Sequence, residues 1–230
     1  MIAVIQCASR KAADAGHLRT RDGRKVMFVA DPVLAPPAED FVFARPDDLS
    51  DTGESWRTVL RRYNANPDGN AHGLLPAWRL YGSPTYRKLA EHFGLDRLYI
   101  LSAGWGLICA GFLTPNYDIT FAATRREDHY KRRRRHDIWR DFRSLPVGTS
   151  QPILFFGGKG YVPLFCSLTA GSVGPRTVFY AGKEPTAPDC VLIRFGRPFT
   201  NWHYQCANAF VESTARLDPA RVTPQQVRRE

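Results

Sequence analysis

The chain has 230 residues, 43% of them hydrophobic, with five Trp and fourteen Phe, which is enough for the sizeable core of a globular protein. Its 32 Lys and Arg against 22 Asp and Glu give a net charge of +10, which favours a polyanion such as nucleic acid over an acidic membrane surface. No apolar run approaches the roughly 20 residues of a membrane span, and the start at Met1 lacks a signal-peptide pattern. We therefore expect a cytoplasmic protein without a membrane partner.

The five cysteines are odd in number and far apart, with no Cys-x-x-Cys pair and no His at metal-ligand spacing. This pattern predicts neither a disulfide framework nor a zinc site, and we expect no metal and no cofactor. Cys7 differs from the other four because it follows the first strand beside Arg10 and Lys11. Those cations favour a reactive thiolate, but no His partner accompanies the thiol, so an inert core cysteine is the alternative.

The first part of the chain contains strand-like and helix-like segments in turn. Residues 2–5 and 25–30 have the composition of buried strands. The Pro- and Asp-rich segment 31–50 predicts a long surface connection. Apolar residues at helical spacing predict a helix over 54–62, and a Gly-, Asn- and Pro-rich loop follows at 64–73.

A helix and a buried strand lead into the most informative stretch, residues 98–118. Ser83 as N-cap, Pro84 in the first turn and Gly94 as the stop predict that helix. The strand that follows ends abruptly in the small residues of the run 102–106. Such an ending is how α/β folds place a backbone-lined pocket at the carboxyl end of a strand. A tight turn into the next element is the alternative.

Residues 124–142 are strongly basic. Thr124 and Glu127 have the spacing of a capping box, which predicts a charged helix that begins there and ends at Phe142. The five consecutive cations at 131–135 would cover every side of this helix, and their repulsion favours contacts with phosphates. A solvated helix face, partly balanced by Glu127, is the alternative.

A second strand followed by glycines lies at 152–161. The glycines lack the spacing of a Walker A loop, but their amides, with Lys159 beside them, suit one phosphate or a sugar. A structural turn is the alternative. Two more strands are predicted at 177–180 and 190–193. Strands separated by helical stretches predict an α/β fold with a mostly parallel sheet.

We predict one domain over residues 1–217, with an insert at about 31–73, and a polar C-terminal tail at 218–230. Four motifs in this chain together resemble a known family. They are Cys-x-x-x-Lys at 7–11, Leu-Tyr-Gly-Ser-Pro-x-Tyr at 80–86, Ile-Leu-Ser-Ala-x-x-Gly-Leu at 100–107 and Pro-x-Tyr-Asp at 115–118.

In this order the motifs are similar to those of the bacterial peroxide-stress DNA-binding proteins and of the uracil-DNA-glycosylase superfamily. The chain also resembles in kind the prokaryotic antiviral glycosylases that excise bulky modified cytosines from phage DNA. The resemblance implies a three-layer fold, a positively charged groove over the carboxyl ends of the strands, and a pocket for a flipped base. The water-activating motif of uracil glycosylases is absent from the loop after the first strand, which suggests a substrate other than ordinary uracil.

The implied function is that of a DNA glycosylase, which hydrolyses the N-glycosidic bond of a modified base and leaves an abasic site. The implied partner is duplex DNA with one flipped modified nucleotide, and no obligate protein partner is evident. Two alternatives stay open. The first is a non-catalytic DNA-binding stress protein, and the second is a nucleic-acid base transglycosylase, which needs a nucleophilic carboxylate.

Glycoside hydrolysis needs a carboxylate that stabilises an oxocarbenium-like sugar or orients water. Asp118 is the candidate carboxylate, with Asn116 and Gln6 reading the base or placing the water; for Asp118 a capping role is the alternative. His203 would assist the leaving base, and a structural His among aromatic rings is the alternative. The other candidates for binding the base are Cys7, Ser102, Ala103, Gly104, Trp105 and Tyr117, with Trp105 or Tyr117 as the stacking ring. The candidates for binding phosphates are Arg10, Lys11, Lys131, Arg132, Arg133, Arg135 and Lys159.

Overall fold

The structure is a computed structural model that describes residues 1–196 and 199–216. Within them the chain forms a seven-stranded central sheet and two two-stranded sheets, with helices around them. The strands are β1 (Ile2–Gln6), β2 (Lys25–Phe28), β3 (Phe41–Ala44), β4 (Leu75–Pro76), β5 (Leu98–Ser102), β6 (Gly106–Cys109), β7 (Leu113–Thr114), β8 (Phe142–Arg143), β9 (Ile153–Phe156), β10 (Arg176–Tyr180) and β11 (Cys190–Arg194). The α-helices are α1 (Trp56–Ala65), α2 (Ala77–Leu80), α3 (Pro84–Phe93), α4 (Val162–Thr169) and α5 (Trp202–Arg216).

The central sheet has the strand order β11-β10-β9-β1-β5-β6-β8. Its first five strands are parallel, with Ile5 of β1 opposite both Ile100 and Phe156, while β6 runs antiparallel to β5. The carboxyl ends of β1, β5 and β9 therefore meet at one edge, which we call the carboxyl edge. Because the chain passes from β1 to β5 on one side and to β9 on the other, the ends of β1 and β9 form a topological switch point. Ligands of open α/β sheets bind at such points.

Helices cover both faces of this sheet. Phe155 stacks on Phe165 of α4 at 4.5 Å between ring centres, whereas its neighbour Phe156 contacts Phe210 of α5 at 5.8 Å. Since consecutive strand residues point to opposite faces, α4 and α5 lie on opposite sides. Helix α3 joins α5 on its side, where Phe93 stacks on Phe210. The prediction of an α/β fold with a mostly parallel sheet is confirmed, and the arrangement is compatible with three layers.

The helix predicted after Ser83 is confirmed as α3. The Ser83 hydroxyl accepts the Thr85 N–H, and Gly94 ends the helix with a φ of 78°. The strand predicted at 25–30 is β2, but it pairs with β3 in a separate sheet. The segment 31–50 is therefore more than a surface connection, because it contains β3.

The α-helix predicted over 124–142 is wrong. Residues 126–131 form a short 3-10 helix, and irregular chain continues from there to β8. Tertiary pairing uses the backbone instead: the Arg133 N–H donates to the Thr120 carbonyl, and the Thr120 N–H donates to the Lys131 carbonyl. A capping box expresses a local preference, and these long-range contacts override it.

The predicted tail at 218–230 lies outside the described residues. All five cysteines are free thiols. Across residues 1–196 and 199–216, no cluster of three or more His, Cys, Asp or Glu side chains could hold a metal ion. In the same part of the chain, every helix is too short or too polar to cross a membrane.

Candidate functional site

A pocket of about 360 Å³ lies at the carboxyl edge, beside the switch point between β1 and β9. This volume falls within the range of small-molecule sites. We call it the edge pocket. Four predicted site residues meet there. They are Gln6, Cys7, Arg10 and His203, and the walls also include Ser9, Thr120, Ala122, Tyr161 and Asn201.

Gln6 and Cys7 tie the end of β1 to neighbouring segments. The Gln6 amide oxygen accepts the Gly158 N–H at 2.6 Å, which bridges the ends of β1 and β9. Cys7 Sγ lies 3.2 Å from the Tyr161 hydroxyl and accepts the Ala103 N–H at 3.4 Å. Burial raises the pKa of Tyr161, so its hydroxyl is neutral at pH 7. This wall of the pocket therefore presents the neutral Tyr161 hydroxyl and the Gln6 amide as hydrogen-bonding groups.

His203 supplies a neutral imidazole at the start of α5. Only 5% of the residue is exposed, and burial lowers the pKa of His203 to about 4. Its Nε2 has no hydrogen-bond partner among the described residues, although the ring packs 4.1 Å from the Tyr204 ring. A buried ring nitrogen without a partner loses free energy that a ligand's polar group can restore. Among the described side chains that line the pocket, His203 is thus the one with a buried polar atom that lacks a hydrogen-bond partner.

An extended strip, residues 117–122, separates the edge pocket from a second cavity. Tyr117, Ile119 and Phe121 are buried, whereas Asp118 and the residues at 120 and 122 face the other way. The last two line the edge pocket, and Phe121 lines the second cavity. The Asp118 side chain therefore lies on the same side of the strip as Thr120 and Ala122, two positions before Thr120.

The Asp118 carboxylate lies 3.0 Å from Lys131 Nζ, and 41% of the Asp118 side chain is exposed. Lys131 also pairs with Asp128 at 2.6 Å. Burial opposes the charge of this ammonium, but its bonds to Asp128 and Asp118 raise the pKa of Lys131. Two carboxylates thus compensate the positive charge of Lys131, which disfavours a contact between Lys131 and a phosphate. Asn116 is partly buried, donates its backbone N–H to Gly16 and does not line the edge pocket.

Lys11 is partly buried and lies beside the edge pocket without lining it. Its Nζ donates to the Ser9 carbonyl at 3.1 Å and lies 4.1 Å from the centre of the Tyr117 ring. Burial lowers the pKa of Lys11, Cys7 and Asp118 oppose that shift, and Lys131 adds to it. The amine therefore lies between the edge pocket and the Asp118–Lys131 pair.

The second cavity, about 1050 Å³, is a basic cleft. Arg132 and Arg135, both predicted to bind phosphates, are exposed in it with Arg134 of the same run, and Arg45, which was not predicted, joins them. Ile138, 98% exposed, also lines the cleft. An adjoining cavity of about 390 Å³ continues it toward α4. Lys159 is exposed in the glycine turn after β9.

Ser102 to Gly106 form a buried turn between β5 and β6, which is the alternative that the sequence left open. The Ser102 hydroxyl accepts the Gly104 and Trp105 N–H groups and donates to Tyr117 Oη at 2.9 Å. Ala103 is fully buried as well, and its carbonyl accepts from Arg133. No more than 1% of Trp105 or Tyr117 is exposed, so the prediction that either ring stacks on a base is wrong. A glycine nearby in the sequence does not show whether an aromatic ring faces the core or a pocket.

Arg133 does not contact phosphate either, because it is 2% exposed and paired with Asp141. Its sequence neighbours gave no sign of this burial. Tyr161 is a further pocket residue that the sequence did not predict, although it directly follows the glycines after β9. Asn201, also missed as a wall of the pocket, precedes α5 with a φ of 63°, a conformation that Asn adopts more readily than most residues.

No protein-family model, curated protein or solved structure matches the chain. Fold and site define an α/β protein with a polar pocket at the switch point of its sheet, and Arg10 is the charged residue in the described lining of that pocket. Residues 120–122 lie between that pocket and a basic cleft, because Thr120 and Ala122 line the pocket and Phe121 lines the cleft.

Proposed function

We propose that this protein is a DNA glycosylase, which binds duplex DNA along the basic cleft and hydrolyses the N-glycosidic bond of a modified base held in the edge pocket. The observation that carries the proposal is the wall shared by the two cavities, residues 120–122. Duplex DNA presents phosphates and bases within one nucleotide of each other. A phosphate surface beside a pocket therefore suits a flipped nucleotide.

The cleft supplies the binding step. Arg132, Arg134 and Arg135 are exposed cations on one irregular segment, and the chain as a whole carries +10. Of the acidic residues in the cleft, Asp31 pairs with Arg45 at 3.5 Å and Asp137 accepts the Arg134 N–H. The excess of positive charge attracts the phosphate backbone and releases counterions from it.

The pocket supplies recognition of the base. Tyr161, Gln6 and His203 place a hydroxyl, an amide and an imidazole around about 360 Å³. These groups can hydrogen-bond a base edge without adding charge. The volume favours a bulky, phage-type base, and the protein would then act in antiviral defence. The four motifs at 7–11, 80–86, 100–107 and 115–118 support a uracil-DNA-glycosylase-like identity for the fold.

Asp118 carries the chemistry in this proposal. Water adds to C1′ of the sugar as the bond from C1′ to the base nitrogen breaks, and the base leaves with the electron pair and takes up a proton. The Asp118 carboxylate stabilises the oxocarbenium-like sugar and orients the water. His203, neutral at pH 7, donates a hydrogen bond to the leaving base.

One observation favours a DNA-binding protein without catalysis. The described wall of the edge pocket includes no carboxylate, and Asp118 beyond it is already paired with Lys131. On this alternative the pocket holds a base and releases it unchanged.

The experiment compares plain DNA with hypermodified phage DNA, each incubated with the purified protein and then cleaved with alkali at abasic sites. We expect strand breaks in the modified DNA alone, with plain DNA as the matched control. Binding to every modified DNA without base release would support the binding protein. Incorporation of an added free base would indicate base exchange.

A further inference from the structure

Lys11 is an amine without a counterion beside the edge pocket. Its Nζ donates to the carbonyl of Ser9, which lines the pocket, and lies over the Tyr117 ring. The Asp118 carboxylate, whose charge acts on Lys11, pairs with Lys131 instead. In the described chain Lys11 forms no ion pair within 4.0 Å, unlike Lys131, which forms two.

This environment makes the Lys11 ammonium less stable than that of a lysine in water. Burial lowers the pKa of Lys11, and the neighbouring Lys131 lowers it further, while Cys7 and Asp118 act in the opposite direction. Desolvation and a second cation are the two means by which proteins convert a lysine into a nucleophile. A phosphate-binding lysine has the reverse requirement, namely a fully charged ammonium exposed to solvent.

We propose that Lys11 is the nucleophile of a second activity, cleavage of the DNA strand at an abasic site by β-elimination. The proposal rests on the proposed function, since base release in the edge pocket leaves an abasic sugar next to this amine. The substrate is the open-chain aldehyde form of that sugar. Lys11 would thus act on the product of the first reaction.

The step balances without an added oxidant or reductant. The Lys11 nitrogen adds to C1′ of the aldehyde, water leaves, and a protonated imine forms. A base removes a proton from C2′, and the bond from C3′ to oxygen breaks, so that the phosphate on the 3′ side leaves with the electron pair. Water then hydrolyses the imine, which restores the amine and releases an unsaturated aldehyde on the upstream strand.

The test uses a duplex with one abasic site made in advance, so that it does not depend on base release. The full-chain protein is incubated with this duplex and sodium borohydride, which reduces the imine to a stable bond. We expect a covalent complex of protein and DNA on a denaturing gel, with the adduct at Lys11 by peptide mass spectrometry. Without borohydride, Lys11→Arg should slow strand cleavage on the order of 10³-fold, because arginine forms no imine.

Lys25→Arg is the matched control. Lys25 also lies over an aromatic ring, that of Phe41, but it belongs to the separate β2–β3 sheet. This variant should trap as the wild type does. An adduct that maps to the Met1 amine, which bonds Gln151 at the opposite edge of the sheet, would overturn the proposal. Mapping needs only the wild-type protein, so a folding defect in Lys11→Arg leaves the test intact.

Failures of the two proposals are distinguishable. Base release from modified DNA without any trapped complex would overturn the role of Lys11 and leave the glycosylase standing. Trapping at Lys11 on the preformed site without base release from any modified DNA would support the lyase step and overturn hydrolysis.

Discussion

Arg133 and Asp141 form a buried bidentate ion pair. The two guanidinium nitrogens lie 2.9 and 2.6 Å from the two carboxylate oxygens, and the side chains are 2% and 6% exposed. Arg133 also donates to the Ala103 carbonyl at 2.9 Å. The pair thus fastens the basic segment to the turn after β5, and it positions the cleft instead of binding DNA.

Removing one member of this pair should unfold the protein more readily. We expect Arg133→Ala to lower the free energy of unfolding by about 3–5 kcal/mol, because it leaves the Asp141 charge buried and alone. Urea denaturation measures the change. Arg135→Ala, in the same run of cations but exposed, should stay within about 0.5 kcal/mol of the wild type. Equal stabilities for the two variants would contradict the structural role of Arg133.

The exposed cations should instead govern the salt dependence of DNA binding. Replacing Arg132 and Arg135 together by Ala should reduce the slope of log K against log[salt] by up to about 2, since each lost phosphate contact removes about 0.9. Fluorescence anisotropy with a labelled duplex measures it. Arg87→Ala, which removes an exposed cation from α3, is the control. An unchanged slope in the double variant would show that the cleft does not bind phosphates.

Gly106 should tolerate no side chain. Its φ is +87°, and an added Cβ would lie 2.6 Å from Asp141 Cβ and 2.8 Å from the Phe142 nitrogen. We expect Gly106→Ala to cost about 2–4 kcal/mol of stability, from backbone strain and overpacking together. Thermal unfolding tests this, with Gly111→Ala as control because that position faces open space. Similar melting temperatures for the two variants would contradict the account of the turn.

Protonation of His203 should contribute to acid lability. Its folded pKa, about 4, lies below the ordinary 6.5. Between these values the unfolded chain binds a proton that the folded chain does not, so stability falls as pH is lowered through this window, by about 3 kcal/mol in total. His203→Gln should lose this component of the pH dependence, whereas the exposed His136→Gln should keep it. Parallel curves for His203→Gln and the wild type would show that His203 does not titrate in this way.

The sequence predicts elements best where a single local signal decides. The runs at β5 and β9 are apolar enough to read as buried strands, and Ser83, Pro84 and Gly94 mark both ends of α3. The helix prediction for the basic segment is wrong because the capping box competes with pairings to Thr120 and Asp141, which no local pattern shows.

The site is predictable only in part, for a topological reason. Gln6 and His203 line one pocket although they are 197 positions apart, and strand order alone brings them together. The chemistry of Ser102, Trp105 and Tyr117 predicts a pocket for a base, but a sequence does not show which side chains face the core. These residues are buried and hydrogen-bonded to one another, so the motif stabilises the turn after β5.

The rate of base release by Asp118→Asn tests the central claim most directly. The measurement is single-turnover release of the modified base from phage-type DNA, with Asp128→Asn as the matched control because it removes the other carboxylate bound to Lys131. We predict that Asp118→Asn is slower by about 10²-fold or more, since a charge that stabilises the transition state is lost. Its DNA affinity should be unchanged or tighter, and Asp128→Asn should release base at close to the wild-type rate. Wild-type base release by Asp118→Asn would contradict the account.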